Sequence, residues 1–400
     1  MYNLMKFCSS VILMYLKLLN GFWAIPAVIV IWLLRPFILI KIHSFRSEHI
    51  GGLVPKSTTF LRYYKKQKRV LELYGITGKH NTFWVQLIKR SGLPIHGTWV
   101  QYLYYWVNLL PRAEINKIPN KGRNFYDENN WNFQYEKIMP FNENEKREGE
   151  EWLKNHGWHV GQPYVCIIVR DSAYLRHLAS PKFKNKYNYH NYRDSDINTY
   201  TEGIIWLLNE GYFVIRMGSK MLYPMAFTDK NLVDYPFCNE KSDFLDVWLF
   251  ANCTYTISTG VGPDLIAAVY NKPILFINIL PLSVELFMFF KQNFVPKKLF
   301  KIDTGEPLTI KEYLSTHNFY SSETYSQNNI LIKDLQPEEI LEYIVEFDST
   351  VKCDFKMDEN NQLMQEYAWS VYFSLDENFK LKKQKHPKAN FSQLWINKNY

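Results

Sequence analysis

Cysteine is sparse in this 400-residue chain. The five, Cys8, Cys166, Cys238, Cys253 and Cys353, are scattered, odd in number and form no CxxC pair. That argues against a disulfide framework or a zinc cluster and for a reducing compartment. No repeat or low-complexity tract is evident, and the 47% apolar composition excludes a disordered protein while supplying cores for two ordinary domains. An unbroken apolar run of about 20 residues, the length of a spanning helix, is also lacking. Lys17 and Asn20 interrupt the amino-terminal stretch before residues 22–34, and Arg35 and Pro36 close it. This predicts a membrane-associating segment over residues 1–35 that forms a hairpin or lies shallowly at the surface, with a buried helix as the alternative. No small-residue cleavage site follows the apolar block, so a removed signal is rejected.

The net charge of +8 and pI near 8.9 suit an anionic membrane or a phosphorylated ligand. With neither a recognition helix nor a zinc module, nucleic acid is not expected as a partner. Residues 41–90 hold 11 Lys or Arg against 2 acids. Within them the pattern reads as a strand at 37–45, a glycine loop through "RSEHIGGLV" and a helix at 57–69 with a basic face. The aromatic stretch at 93–110 reads as core, with sugar stacking as the alternative. A charged helix pattern over 142–158 stops at Gly157, and a domain junction is placed there.

The second half alternates. Short β-branched strands at 164–169, 212–218, 254–259 and 273–279 are separated by helices at 196–211, 242–253 and 263–271, the pattern of a parallel sheet covered on both faces. Two tail helices follow at 336–347 and 362–373, the latter with Leu363, Tyr367 and Val371 on one face, and both are expected to pack back across the two domains.

Ligands of open parallel sheets bind beyond the carboxyl ends of the strands. Arg170 and Asp171 stand where the first strand of this half leaves the sheet. In "STGVGPD", Ser258, Thr259, Gly260, Gly262 and Asp264 form a strand-to-helix turn with Pro263 as first helical residue, suited to a diphosphate through backbone N–H groups and the helix dipole. "YHNYRDSD" supplies His190, Tyr192, Arg193, Asp194 and Asp196. Its two carboxylates could hold Mg²⁺ or Mn²⁺, but they also make a helix cap, and the cap is the reading adopted. Arg216 and Gly218 end the next strand at the same sheet edge.

With its "VRDSAYL", "YRDSD", "VIRMG" and "STGxGxD" blocks in that order, the chain resembles a family of bacterial glycosyltransferases associated with surface polysaccharides, over most of residues 37–400. The resemblance implies an α/β fold of GT-B type, two Rossmann-like domains facing a cleft: an acceptor domain at 36–157, a nucleotide-sugar domain at 158–345, and a helical tail at 346–400. It implies that Arg170 contacts the donor diphosphate, with Asp171, Ser172 and Tyr174 shaping the loop. His190, Tyr192, Arg193, Asp194 and Asp196 would line the crevice, Arg216 and Gly218 the nucleotide side, and the Ser258–Asp264 turn the phosphate and ribose. The family's first-domain loop reads "RIGHL" where this chain has "HIGGL", so His49 replaces the arginine and Gly52 the histidine.

The expected activity is sugar transfer from a nucleoside-diphosphate sugar to a hydroxyl acceptor, glycan or lipid-linked, at the cytoplasmic face of the bacterial inner membrane. Arg170 would offset the charge on the leaving diphosphate, and Glu48 or His49 would be the general base. No cofactor is expected, and Mg²⁺ or Mn²⁺ is not favoured. The alternatives are a sugar-nucleotide epimerase or hydrolase and a non-catalytic membrane assembly protein.

Overall fold

The computed structural model describes residues 21–46, 49–78, 80–118, 134–178, 188–282, 292–353, 359–375 and 389–399. The chain forms two compact units, divided between Phe125 and Tyr126. Both are mixed α/β structures built on parallel sheets.

In the first unit, β1 (Leu39–Arg46), β2 (Val70–Thr77) and β3 (Ile95–His96) lie side by side in the order β1-β2-β3, all parallel. Strand alternation sorts its side chains onto two faces. Ile42 and Leu73 pack with Val100, Leu103 and Trp106 of the helix Trp99–Trp106, and with Ala24, Val28 and Ile31 of the helix Ala24–Leu33. On the other face, Phe60 lies 4.3 Å from the His43 ring and 5.3 Å from Phe45. Phe60 belongs to the helix Ile50–Tyr63, whose buried Ser57, Thr58 and Thr59 return their hydroxyls to the carbonyls of Leu53, Val54 and Pro55. This local pairing lets three hydroxyls sit in a core.

That helix corrects the expected one. It starts at Ile50, taking in the two glycines, and ends at Tyr63, where Tyr64 turns extended. The basic residues Lys65, Lys66, Lys68 and Arg69 fall in the turn before β2 rather than on a helix face. The aromatic stretch is core in part: Val100, Leu103 and Trp106 are buried, while Trp99 and Tyr105 are more than 40% exposed. Of the expected membrane segment, residues 1–20 lie outside the described residues. The helix Ala24–Leu33 has ten residues, and no helix among the described residues is long and apolar enough to cross a membrane.

The second unit holds a seven-stranded sheet. Its strands are β4 (Tyr164–Ile168), β5 (Phe213–Arg216), β6 (Leu232–Asp234), β7 (Tyr255–Ser258), β8 (Ile274–Ile279), β9 (Gln292–Pro296) and β12 (Ala389–Phe391), in the order β12-β9-β8-β7-β4-β5-β6. Every pairing is parallel. A separate antiparallel pair joins β10 (Lys298–Lys301) and β11 (Ile330–Lys333). Order reverses at β4, the first strand, which lies between β7 and β5; such a switch point opens a crevice at the carboxyl ends.

The helix Glu143–Asn155, closed at its start by an Asn142–Glu145 capping box, belongs to this unit. A Cβ on Gly149 would lie 2.3 Å from the Trp248 ring, so helix and core are in direct contact. The junction expected after Gly157 therefore falls inside the second unit. The tail helix Glu359–Ser374 buries Gln365, Ala368, Trp369 and Tyr372, whereas Leu363 and Tyr367 are 60% and 49% exposed. The face expected from the sequence is thus the outer one, because aromatic contacts of Trp369 with Phe391 at 5.0 Å and a Gln365 side chain bonded to the Phe391 backbone turn the helix the other way.

Candidate functional site

A cavity of 440 Å³ lies at the carboxyl ends of β4 and β5, lined among others by Asp171, Ser172, Asp194, Asp196, Arg216 and Asp334. Its position follows from strand order: β4 ends at Ile168 beside Ser258 of β7, and the chain then leaves the sheet through Val169 and Arg170. The Arg170 N–H donates to Thr259 Oγ1 at 2.9 Å, and the Arg170 carbonyl accepts from Ser195 N at 2.9 Å. Those two bonds fix the backbone, so the side chain is aimed by the fold.

Arg170 Nε donates to Asp194 Oδ1 at 3.0 Å. Its two terminal nitrogens have no hydrogen-bond partner among the described residues. Burial and the neighbouring Arg193 lower its pKa, while burial raises that of Asp194 against the pull of Arg170. Both shifts disfavour the charged forms, so desolvation outweighs the pairing and the site gains from an anion that adds charge-assisted bonds. Arg193 donates through Nη2 to the Gly260 carbonyl, and its Nε is buried without a partner among the described residues, as are His190 Nδ1 and Arg216 Nε. His190 stays neutral at pH 7, its pKa lowered to about 4 by burial and by Arg170 and Arg193.

The structure therefore brings Arg170, Asp171, Ser172, His190, Arg193, Asp194, Asp196 and Arg216 to one rim, with several roles different from those expected. Asp171 accepts from Ala173 N and Leu222 N, both at 2.8 Å, and braces two loops. Asp196 caps the 3-10 helix Ile197–Tyr200, accepting from Asn198 N at 2.9 Å, as the cap reading expects, whereas Asp194 pairs with Arg170. Tyr192 is buried, its ring 5.4 Å from Tyr325. Arg216 is only 2% exposed; Nη1 donates to the Tyr223 carbonyl at 2.9 Å and to Asp234 at 3.2 Å. Tyr174, on the short helix Ala173–Leu178, is 37% exposed. Gly218, with φ +149°, turns tightly against Met221 and Pro236.

The glycine turn requires a correction. Pro263 is the N-cap, and the helix is the six-residue Asp264–Val269. Buried Asp264 accepts from Ser258 Oγ at 2.6 Å and from the N–H groups of Val261 and Gly262 at 2.9 Å, while Gly260 N donates to Ser258 Oγ at 2.9 Å. The protein's own carboxylate thus occupies the N–H cradle expected to hold a phosphate. Gly260, at φ +79°, instead turns its carbonyl to Arg193. In the first unit, His49 is the exposed N-cap residue of the helix Ile50–Tyr63, and Glu48 lies outside the described residues.

Lys297, Asp334, Asn278 and Ser195 were not singled out from the sequence. Lys297, directly after β9 and 2% exposed, donates to Asp334 Oδ1 at 2.6 Å and to the Asp194 carbonyl. Burial lowers its pKa. Asp334 also accepts from Ser195 Oγ at 2.6 Å. Asn278, at φ 56°, donates to Ser195 Oγ at 3.1 Å and accepts from Leu335 N at 2.9 Å. A polar residue inside the apolar "ILFINI" strand was the available signal for Asn278; Lys297 and Asp334 look like ordinary loop charges until the fold joins them.

No family profile matches the chain, and no curated protein matches it. Among solved structures, the E. coli ADP-heptose LPS heptosyltransferase II aligns with 59% of this chain and 84% of its own length, at 12% identity and a TM-score of 0.35.

Proposed function

We propose that the protein is a glycosyltransferase of GT-B type, moving a sugar from a nucleoside-diphosphate sugar to a hydroxyl acceptor, glycan or lipid-linked, in bacterial surface polysaccharide synthesis. The observation that carries this reading is Arg170: a guanidinium held by its backbone at the switch point of a parallel sheet, with both terminal nitrogens uncommitted among the described residues. Arg193 Nε and Arg216 Nε add further donors unpartnered among the described residues.

In this mechanism Arg170 binds the donor diphosphate and offsets the charge that grows as the sugar–oxygen bond breaks. Asp194 orients it through Nε, and Lys297 holds the Asp194 loop. Catalysis through these fixed cations needs no divalent metal. His49 and Glu48 are the proposed general bases on the acceptor unit.

Attachment to the cytoplasmic face of the inner membrane belongs to the same proposal. The helix Ala24–Leu33 carries no charged residue, and Ile29, Val30 and Leu33 are about half exposed, a composition that suits a lipid surface.

The deciding experiment is a thermal-shift screen of nucleoside diphosphates and their sugars, with and without Mn²⁺, followed by product analysis with the stabilising donor. Transfer to an added acceptor supports the reading. Release of free sugar or an epimer supports the hydrolase or epimerase alternative, and failure to bind any nucleotide supports an assembly protein.

A further inference from the structure

On the second unit, three metal-ligating side chains converge that play no part in the proposed transfer. His156, at the carboxyl end of the helix Glu143–Asn155, meets Cys238 and Glu240 in the turn that follows the 3-10 helix Tyr235–Phe237. One ligand atom from each lies within 4.8 Å of the others. Because the ligands come from separate segments, no CxxC spacing announces them.

The histidine is set for coordination. Its Nδ1 is 2.8 Å from the Trp152 carbonyl oxygen. A carbonyl only accepts, so Nδ1 carries the proton and Nε2 presents its lone pair. That is how a metal-bound histidine is oriented by its outer shell. The Trp152 ring, 4.2 Å away, holds the imidazole plane. Nε2 lies 4.0 Å from Glu240 Oε2, close to the roughly 3.5 Å donor separation of a tetrahedral zinc site. The half-buried Cys238 thiol makes a weak bond to the Asp234 carbonyl at 3.6 Å, which coordination replaces at small cost.

We propose that His156, Cys238 and Glu240 form a divalent-metal site of the zinc class, three protein ligands with water in the fourth position. Mixed nitrogen, sulfur and oxygen donors select zinc over Mg²⁺ or Ca²⁺, which take oxygen ligands. On binding, the Cys238 S–H bond breaks, a sulfur–metal bond forms and the proton leaves to solvent. The metal ties the end of the helix Glu143–Asn155 to the turn that follows Asp234, the partner of Arg216. It thereby braces the wall behind the cavity.

The test is Co²⁺ titration of the full chain after chelator treatment. One equivalent should give a thiolate-to-cobalt charge-transfer band that Zn²⁺ displaces, and free Zn²⁺ at a hundred times its Kd should raise Tm by roughly 5 °C. Cys238→Ser should abolish the band and His156→Gln should weaken binding at least tenfold, with far-UV circular dichroism unchanged in both. Cys353→Ser should alter neither. Absence of stoichiometric binding, or a band that survives Cys238→Ser, overturns the proposal. Nucleotide binding is read separately, so failure of the metal site and failure of the transferase reading are distinguishable.

Discussion

Arg170→Ala separates what the guanidinium does for the fold from what it does for a ligand. The side chain is 12% exposed and its partner Asp194 23%, so the pair is partly desolvated and removing one partner, which leaves the other's charge uncompensated, costs about 2 kcal/mol. Removal strands the Asp194 carboxylate near Lys297, whose positive charge offsets part of the loss. We therefore expect urea unfolding to show about 2 kcal/mol of destabilisation. Adding Asp194→Asn should return at least half of it, since no orphan charge then remains. Nucleoside-diphosphate binding follows a different pattern. Two terminal N–H groups on a phosphate oxygen pair are worth about 3 kcal/mol, or roughly a hundredfold in Kd. That loss should persist in the double variant and be only partly recovered by Arg170→Lys, which keeps charge but not the fork. Calorimetric titration of the best-stabilising nucleotide reads it directly. Parental affinity in a folded Arg170→Ala protein would refute the reasoning.

His43 is 7% exposed among aromatic rings, and burial together with nearby Lys56 lowers its pKa to about 4. Protons therefore bind the unfolded chain first, so the first unit should lose stability as pH falls from 6.5 toward 4, by about 3 kcal/mol at pH 4; a urea midpoint with the same acid slope in His43→Leu contradicts this. Gly149→Ala would ordinarily favour a helix by about 1 kcal/mol, but its Cβ would lie 2.3 Å from Trp248, so we expect a net loss of about 2 kcal/mol, and a rise in Tm would contradict the packing. Replacing exposed Val30 and Leu33 with glutamate should abolish flotation with anionic liposomes without changing circular dichroism; unchanged flotation removes that face from the membrane proposal.

Strands β4, β5, β7 and β8 were legible because each is a short, buried, β-branched run flanked by helical periodicity; β6, the three residues Leu232–Asp234 between two of them, was not. The edge elements were not. Strand β12 is three residues, and β10 and β11 carry lysines, so their patterns match those of loops. In the helix Glu359–Ser374 the period was read correctly but the phase was not: polar Gln365 and Asn361 are buried while Leu363 is exposed, because Gln365 completes the hydrogen bonds of the Phe391 backbone. Hydrophobicity alone places leucine inside, and a buried backbone edge needing partners reverses that choice.

The same competition decided the site. Sequence located the rim, since charges directly after an apolar strand in a parallel sheet must emerge at its carboxyl end. It could not assign the bonds there. Ser258, Gly260, Gly262 and Asp264 read as a phosphate cradle, yet an aspartate at the start of a helix is itself an anion with the right reach, and it fills the cradle before any ligand arrives. Burial raises the pKa of Asp264 while its hydrogen bonds to Ser258, Val261 and Gly262 lower it, so those three donors hold the carboxylate in place. In the proposed function the turn's part in anion binding is then indirect: it aims the Gly260 carbonyl at Arg193, and the donor phosphate falls to side chains. If that is so, Arg170 and Arg193, not the glycine turn, set the salt dependence of nucleotide binding.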